Sequence, residues 1–335
     1  MTYYRPIVMT DTARPPQALT LAGGWCWFSH VEILQRGGPS RLAPLSDVPD
    51  MVLTRLTAPR EALAGLAMDR PQIMGILNVT PDSFSDGGRF LDPAAALAQA
   101  QAMVAEGAAL LDIGGESTRP GAAEVPVADE IARTEPVIAA LRDAGVPLSI
   151  DTRKAAVAQA ALAAGAGIVN DVSALTFDPG LAGVVAAAKV PLVLMHARGT
   201  PATMQNDPVY DDVLLDVYDW LEGRIAAAEA AGIARGRIVV DPGIGFGKTA
   251  AHNLALIRGL SLFHGLGCPV LLGASRKRFI GTISGEDRAD RRVAGSLAVA
   301  LAGAAQGAQL LRVHDVAETR AALALWRAIE LGDLT

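Results

Sequence analysis

Three side chains suggest a binding site before any fold is drawn. Asp151, Asn170 and Asp241 each close a short apolar run. An ionised carboxylate accepts two parallel N–H bonds, and an Asn amide completes a donor–acceptor pattern, so the set suits a flat heterocycle with an amidine-like edge. For Asp241 a second reading stays open, a turn or cap residue ahead of Pro242-Gly243. Arg312 and His314 flank Val313. With the period of two of a strand, their side chains point the same way. With Asn78 they could grip a pyrophosphate and its Mg²⁺, the Asn78 amide oxygen suiting a hard cation and His314 serving as phosphate donor rather than metal ligand. The other reading of Arg312 and His314 is a solvated pair at a rim.

Several chemistries are excluded. Gly247-Lys248-Thr249 resembles the end of a phosphate loop, but the glycine required five residues earlier is Pro242. These glycines instead let the chain turn sharply beneath Asp241 and present Phe246. No Ser-His-Asp arrangement and no zinc spacing is legible. Cys26 and Cys268 are far apart and read as thiols in a reducing cytoplasm. A net charge of -6 offers no general field for nucleic acid or an anionic membrane. The N-terminus, with Arg5, Asp11 and Arg14, does not read as a secretory signal. The uncharged run from Ala294 to Leu311 is broken by glycines and glutamines and reads as a helix passing into a strand, not a membrane span.

The elements that must position these groups recur from Pro71 onward. Apolar runs at Gln72–Val79, Ala109–Ile113, Pro147–Ile150, Gly167–Val169, Pro191–Met195, Arg237–Val240, Pro269–Leu272 and Gln309–Val313 are each followed by a loop and a helical stretch. The runs are short and continuously apolar, as in parallel strands buried on both faces. Eight strand–helix units fit a closed (β/α)8 barrel better than an open sheet. At their carboxyl ends stand Asn78, then Glu116, Thr118 and Arg119, then Asp151-Thr152-Arg153, Asn170-Asp171, His196, Asp241, Ser275-Arg276-Lys277, and Arg312 with His314. In such barrels the active groups come from this end, so all are expected to converge on one mouth. Residues 1–70 differ. They read as an N-terminal extension, partly strand, without a helical period before about Arg60, packed on the barrel or on a partner subunit and carrying exposure-prone Trp25, Trp27 and Phe28. Residues 71–335 are the barrel.

The motifs also resemble a known family. Met74-Gly75-Ile76-Leu77-Asn78-Val79-Thr80-Pro81-Asp82-Ser83-Phe84-Ser85-Asp86-Gly87-Gly88 is similar to the first pterin-binding signature of the dihydropteroate synthases. Asp112-Ile113-Gly114-Gly115-Glu116-Ser117-Thr118-Arg119-Pro120-Gly121 is similar to the second. The resemblance continues through Ser149-Ile150-Asp151-Thr152, Asn170-Asp171-Val172-Ser173, Met195-His196, Asp241 to Lys248, Ser275-Arg276-Lys277 and Arg312-Val313-His314. Ala197-Arg198, where the family often has Met-Gln, is a departure.

The resemblance implies a transferase of folate synthesis, joining a pterin methyl pyrophosphate to para-aminobenzoate with Mg²⁺, in a cytoplasmic homodimer that sulfonamides target. It implies that Asp151, Asn170, Val172, Met195, Asp241, Gly273 and Lys277 hold the pterin. Asn78, Arg312 and His314 would hold the pyrophosphate, with Asn78 also reaching the metal. Phe84, Thr118, Arg119, Pro120, Phe246 and Ser275 would shape the aminobenzoate pocket. Two alternatives are a methyltransferase barrel sharing the pterin pocket, which would not need the anion grip, and a catalytically silent pterin binder, which would lack a ligand that is present here.

Overall fold

The computed structural model describes residues 1–80, 93–117, 122–199 and 208–332. The eight apolar runs are strands of one parallel sheet. They are β5 (Gln72–Asn78), β6 (Leu110–Gly114), β7 (Leu148–Asp151), β8 (Ile168–Asp171), β9 (Leu192–Met195), β10 (Ile238–Asp241), β11 (Leu271–Leu272) and β12 (Leu310–Val313). The sheet order is β10-β9-β8-β7-β6-β5-β12-β11, and a parallel bridge between Val240 and Val270 joins its two ends. The sheet is thus a barrel.

Helices follow the strands: α2 (Pro93–Glu106), α3 (Val127–Leu141), α4 (Ala155–Ala164), α5 (Leu181–Ala188), α6 (Val213–Ala230), α7 (Ala250–Arg258), α8 (Arg278–Ser284), α9 (Val293–Ala304) and α10 (Val316–Leu331). Local chemistry sets several ends. The Asp212 side chain accepts from Leu214 N and Leu215 N at the start of α6. Thr249 and His252 form a reciprocal cap on α7. The short α8 falls in what reads as a loop from sequence. The run from Ala294 to Leu311 divides between α9 and β12, and no helix among the described residues is long and apolar enough to cross a membrane.

The barrel interior explains where the site lies. Its lower end is plugged by Met74, Leu110, Ile168, Val193, Val239, Leu271 and Leu310, joined by Leu63 and Met68 from the chain entering the barrel. Burying each such side chain stabilises the fold by about 1.5–3 kcal/mol. Side chains alternate along a strand, so the residue two further on points inward again, one layer nearer the mouth. Counting two from the seven strand residues of the plug gives Ile76, Asp112, Asn170, Met195, Asp241, Gly273 and Arg312, four of them polar. The apolar plug and the mixed layer above it, polar at Asp112, Asn170, Asp241 and Arg312, are therefore one alternating pattern read at two heights.

The extension is a small sheet of its own. β1 (Thr2–Met9), β2 (Leu19–Thr20) and β4 (Arg41–Pro44) all pair antiparallel with β3 (Trp27–Gln35), and α1 (Asp50–Thr57) follows. That helix corrects the expectation of no helix before Arg60. Phe28, Val31, Ile33, Ala43, Val48 and Leu56 form its core. Trp27 and Phe28 are buried and Trp25 is half-buried, which corrects their expected exposure. The sheet docks on the barrel's outer layer through Tyr3 Oη to Asp219 Oδ2 (2.8 Å), Ser261 Oγ to the Pro6 carbonyl (2.9 Å) and Trp25 Nε1 to the Ala304 carbonyl (2.9 Å).

Candidate active site

The centre of the barrel mouth is an acidic pair held by one arginine. Arg312 Nε donates to Asp112 Oδ2 at 2.6 Å, and Arg312 Nη2 donates to Asp151 Oδ2 at 2.7 Å. Asn170 Nδ2 donates to the same Asp112 oxygen at 2.9 Å. Burial works against the guanidinium charge, but Asp112 and Asp151 outweigh it and hold Arg312 above its ordinary range. Burial pushes the Asp151 carboxyl up to about 7; Arg312 opposes the shift, and the charges of Asp112, Glu130 and Asp171 add to it. Arg312 is thus not a solvated rim residue. Asp112 lies two residues past the plug residue Leu110, and that alternation marks it as inward-facing once the facing of Leu110 is known.

Asp241 stands beside this centre. Its Oδ1 accepts from Gly243 N at 2.7 Å, so it is partly the turn residue of the alternative reading. Gly243 must be glycine. Its φ is +67°, and a Cβ there would lie 1.8 Å from the His196 carbonyl oxygen. Burial raises the Asp241 carboxyl, while Lys277, the Gly243 N–H and Arg312 restrain it. The Lys277 ammonium bonds the Ile244 carbonyl and lies 4.5 Å from the centre of the Phe246 ring. Burial pulls Lys277 down to about 8, with Asp241 opposing. Met195 is buried, Val172 half-buried, and Gly273 buried next to Asp241.

At the last strand, His314 Nδ1 and Ser275 Oγ are 3.0 Å apart, and His314 N donates to the same hydroxyl at 3.2 Å. The neighbouring loops are clamped by Arg276, whose Nε donates to Asp315 Oδ2 at 3.0 Å. Arg312 and His314 are joined to different partners, one to the acidic pair and one to Ser275. Asn78 ends β5 half-buried, in register with Gly114. Asp112 Oδ1 and Ser149 Oγ, on register partners of β6 and β7, are buried with no hydrogen-bond partner among the described residues. Such atoms are costly to leave unpaired, so the barrel interior holds unused polar capacity.

Not every polar strand end faces the mouth, which corrects the expected convergence. Asp171 folds back onto Ser173 N (2.8 Å) and Leu175 N (2.6 Å). His196 is buried edge-on to Trp220, and its Nδ1 lies 2.8 Å from Lys248 Nζ. Burial and the neighbouring Lys248 push His196 down to about 2, so it is neutral at working pH. Lys248 also donates to the carbonyls of Gly243 and Phe246 at 2.9 and 3.0 Å. It therefore ties the glycine loop from beneath and is no phosphate-loop lysine. Glu116, Thr152 and Arg153 belong to a separate buried network. Phe84, Thr118, Arg119 and Pro120 lie outside the described residues.

Fold and pocket together define a (β/α)8 barrel of the enzyme type, with an acidic, arginine-bridged mouth. The family described as pterin binding enzyme matches residues 74–314. Dihydropteroate synthase of Neisseria meningitidis serogroup B is 49% identical over 269 residues, covering 79% of this chain and 94% of the relative. That of Escherichia coli K12 is 46% identical over 255 residues, covering 76% and 90%. Among solved structures, Xanthomonas albilineans dihydropteroate synthase with 4-aminobenzoic acid superposes with a TM-score of 0.76 at 52% identity, covering 81% of this chain and 98% of that one. The Yersinia pestis dihydropteroate synthase with a sulfonamide drug complex gives 0.77 at 46% identity, covering 81% and 99%. The chain belongs to the dihydropteroate synthase family of pterin-binding enzymes.

Proposed function

We propose that the chain condenses 6-hydroxymethyl-7,8-dihydropterin pyrophosphate with para-aminobenzoate, giving 7,8-dihydropteroate and pyrophosphate. The observation that carries this reading is the convergence of Asp151, Asn170, Asp241 and Lys277 on a pocket whose arginine, Arg312, comes from the last strand. Asp241 receives the amidine edge of the pterin, Asn170, Asp151 and Lys277 complete the donor–acceptor frame, and Met195, Val172 and Gly273 form the walls. Arg312 has five N–H donors, two of which reach carboxylates, leaving capacity for phosphate oxygens. His314 donates beside it.

Among the described residues no cluster of three acidic, His or Cys side chains could hold a metal. A single amide oxygen, Asn78, fits Mg²⁺ that is carried mainly by the pyrophosphate and its waters. When bound, that ion would neutralise charge building on the leaving group. The bond from the pterin methylene to the pyrophosphate oxygen breaks, the aminobenzoate nitrogen bonds to the same carbon, and the nitrogen releases a proton. The pterin ring spreads the positive charge, so the protein's contribution is placement and electrostatics, with Asp151 and Asp241 favouring a cationic ring. Ser275 and Phe246, with Phe84, Thr118, Arg119 and Pro120, supply the aminobenzoate pocket.

The same reading makes the protein a cytoplasmic homodimer. Its two cysteines are both unpaired and buried, which suits a reducing compartment; light scattering on the purified chain tests the dimer. The test of function is one assay with pterin pyrophosphate, para-aminobenzoate and Mg²⁺. Dihydropteroate formation that stops without Mg²⁺ is the expected result. Pterin binding without turnover would instead mark a silent binder.

A further inference from the structure

Between β6 and α3 the chain runs out from Gly115 and returns at Pro126, and its two ends are tied together. Glu116 Oε1 accepts from Val125 N at 2.8 Å. Lys154 Nζ reaches Glu116 Oε1 at 3.1 Å, the Val125 carbonyl at 2.6 Å and Glu130 Oε2 at 2.7 Å. All three ammonium hydrogens are thereby used. Glu130 Oε1 accepts from Thr152 Oγ1 at 2.7 Å, and Glu116 Oε2 accepts from Arg153 Nε at 3.2 Å. Lys154 is 3% exposed and Glu130 is 0% exposed. Burial alone would raise the Glu116 carboxyl, yet the Val125 N–H, Lys154 and Arg153 together hold it below the usual carboxylate range.

Buried ion pairs are a poor way to gain stability, because desolvation offsets most of their attraction and apolar side chains of the same volume often do as well. What this network does achieve is register. It fixes the loop's outgoing end (Glu116), its returning end (Val125), the first turn of α3 (Glu130) and the loop after β7 (Thr152 to Lys154) relative to one another. Its side-chain hydrogen bonds among the described residues reach none of the proposed pterin side chains; its links to that pocket are Thr152 N, which donates to the Asn170 carbonyl at 3.0 Å, and the charge of Glu130 near Asp151. Gly115 contributes by fit: a Cβ there would meet Thr134 Cγ2 at 2.7 Å, so only glycine brings the loop this close to α3.

We propose that Lys154, with Glu116 and Glu130, is a positioning device that sets the affinity of the site for para-aminobenzoate by fixing both ends of this loop. The proposal rests on the reading above, in which the loop supplies Thr118, Arg119 and Pro120 to the aminobenzoate pocket. The device acts mainly on the second substrate, because its side-chain bonds hold the loop ends rather than the pterin side chains.

The test is steady-state kinetics on the full-length chain with each substrate varied in turn, for Lys154→Met, Lys154→Arg, Glu116→Gln and Thr118→Ala. In Lys154→Met and Glu116→Gln the KM for para-aminobenzoate should rise between about tenfold and a hundredfold, the scale of a sub-ångström to ångström misplacement, while the KM for the pterin pyrophosphate stays within about twofold. Lys154→Arg should recover part of the loss. Glu116→Gln keeps the Val125 N–H acceptor and most of the packing, so it carries the test should Lys154→Met fail to fold. If Thr118→Ala raises the aminobenzoate KM but Lys154→Met and Glu116→Gln do not, the positioning role is wrong and the loop's assignment stands. If none of the three moves it, the loop's assignment itself fails. Equal rises in both KM values would show a general structural role and overturn the proposal.

Discussion

Arg312 and Asp151 are joined at 2.7 Å although two strands, β5 and β6, separate theirs in the sheet. The same guanidinium bonds Asp112, which is wholly buried. Removing it leaves two carboxylates without their counter-charge. Arg312→Ala should therefore lower unfolding free energy by about 3–5 kcal/mol. It should also weaken the pyrophosphate-bearing pterin more than free pterin, because only the former loses a phosphate partner. Denaturant titration and calorimetry with both ligands check the two effects. Equal affinity losses for the two ligands would count against the anion role.

Asp241→Asn should reduce pterin affinity by about two orders of magnitude, since each charge-assisted bond to a buried carboxylate contributes roughly 1.5–3 kcal/mol. The chain should stay folded. The Asn carbonyl oxygen can still accept from Gly243 N, now 2.7 Å from Asp241 Oδ1, which turns the amide's donor face toward the ligand's own donors. Calorimetry showing unchanged affinity in a folded variant would remove Asp241 from the pterin site.

Pterin affinity should pass through a narrow optimum in pH. Asp151 must be ionised and titrates at about 7, while Lys277 must be protonated and titrates at about 8. Affinity should fall on either side. The stability signs differ. Asp151 is raised, so the folded state binds more protons than the unfolded one between its ordinary value and about 7, and stability declines as pH rises through that window. Lys277 is lowered, so the unfolded state binds more protons between about 8 and 10.5, and stability increases with pH there. Calorimetry with free pterin across roughly pH 6 to 9 is the check, and a flat profile would contradict the pairing.

Deleting residues 1–57 should damage stability and solubility more than chemistry. The deletion removes the partners of Asp219, Ser261 and the Ala304 carbonyl. It strips cover from the 260–266 turn, while no residue at a strand carboxyl end loses a contact described above. Melting temperature and turnover per folded molecule separate the two effects. A stable, soluble truncation without turnover would mean that the extension completes the site.

These relationships show which parts of the molecule local sequence can reveal. The barrel strands are legible because continuous apolar runs admit few other roles, and Asp151, Asn170 and Asp241 stand out where such runs end. Asp112 is harder to see. It sits inside Leu110-Leu111-Asp112-Ile113, and its role follows only once Leu110 is known to face the plug. His196, Asp171 and Lys248 cannot be sorted from true pocket residues by position, because what turns them aside is a tertiary partner: Lys248 for His196, the 173–175 turn for Asp171, three carbonyls for Lys248. The helix Asp50–Thr57 escapes notice because eight residues carry too few apolar positions to show a period, and it forms by packing Leu56 into the extension's core.

The order of ligand binding follows from two contacts. Ser275, a proposed anchor for the aminobenzoate, shares its hydroxyl with the ring and backbone N–H of His314. Phe246, a proposed wall of the same pocket, lies under the Lys277 ammonium. His314 and Lys277 are the groups assigned to pyrophosphate and pterin. The first substrate must engage both before Ser275 and Phe246 are fully available to the second. A small aromatic acid has too little surface to drive that rearrangement alone. Para-aminobenzoate, and sulfonamides shaped like it, should therefore bind at least about tenfold more tightly once pterin and Mg²⁺-pyrophosphate are present, the energy of completing the pocket having been supplied by the first ligand. Calorimetry with a sulfonamide, with and without those ligands, measures the difference. His314→Ala adds a discriminating arm: it removes the imidazole contact to Ser275 but keeps the backbone N–H one, so sulfonamide affinity without the first ligands should rise part of the way toward the ternary value. Equal affinity in both states of the unaltered protein would show a pocket already formed in the empty enzyme, and the ordered scheme would fail.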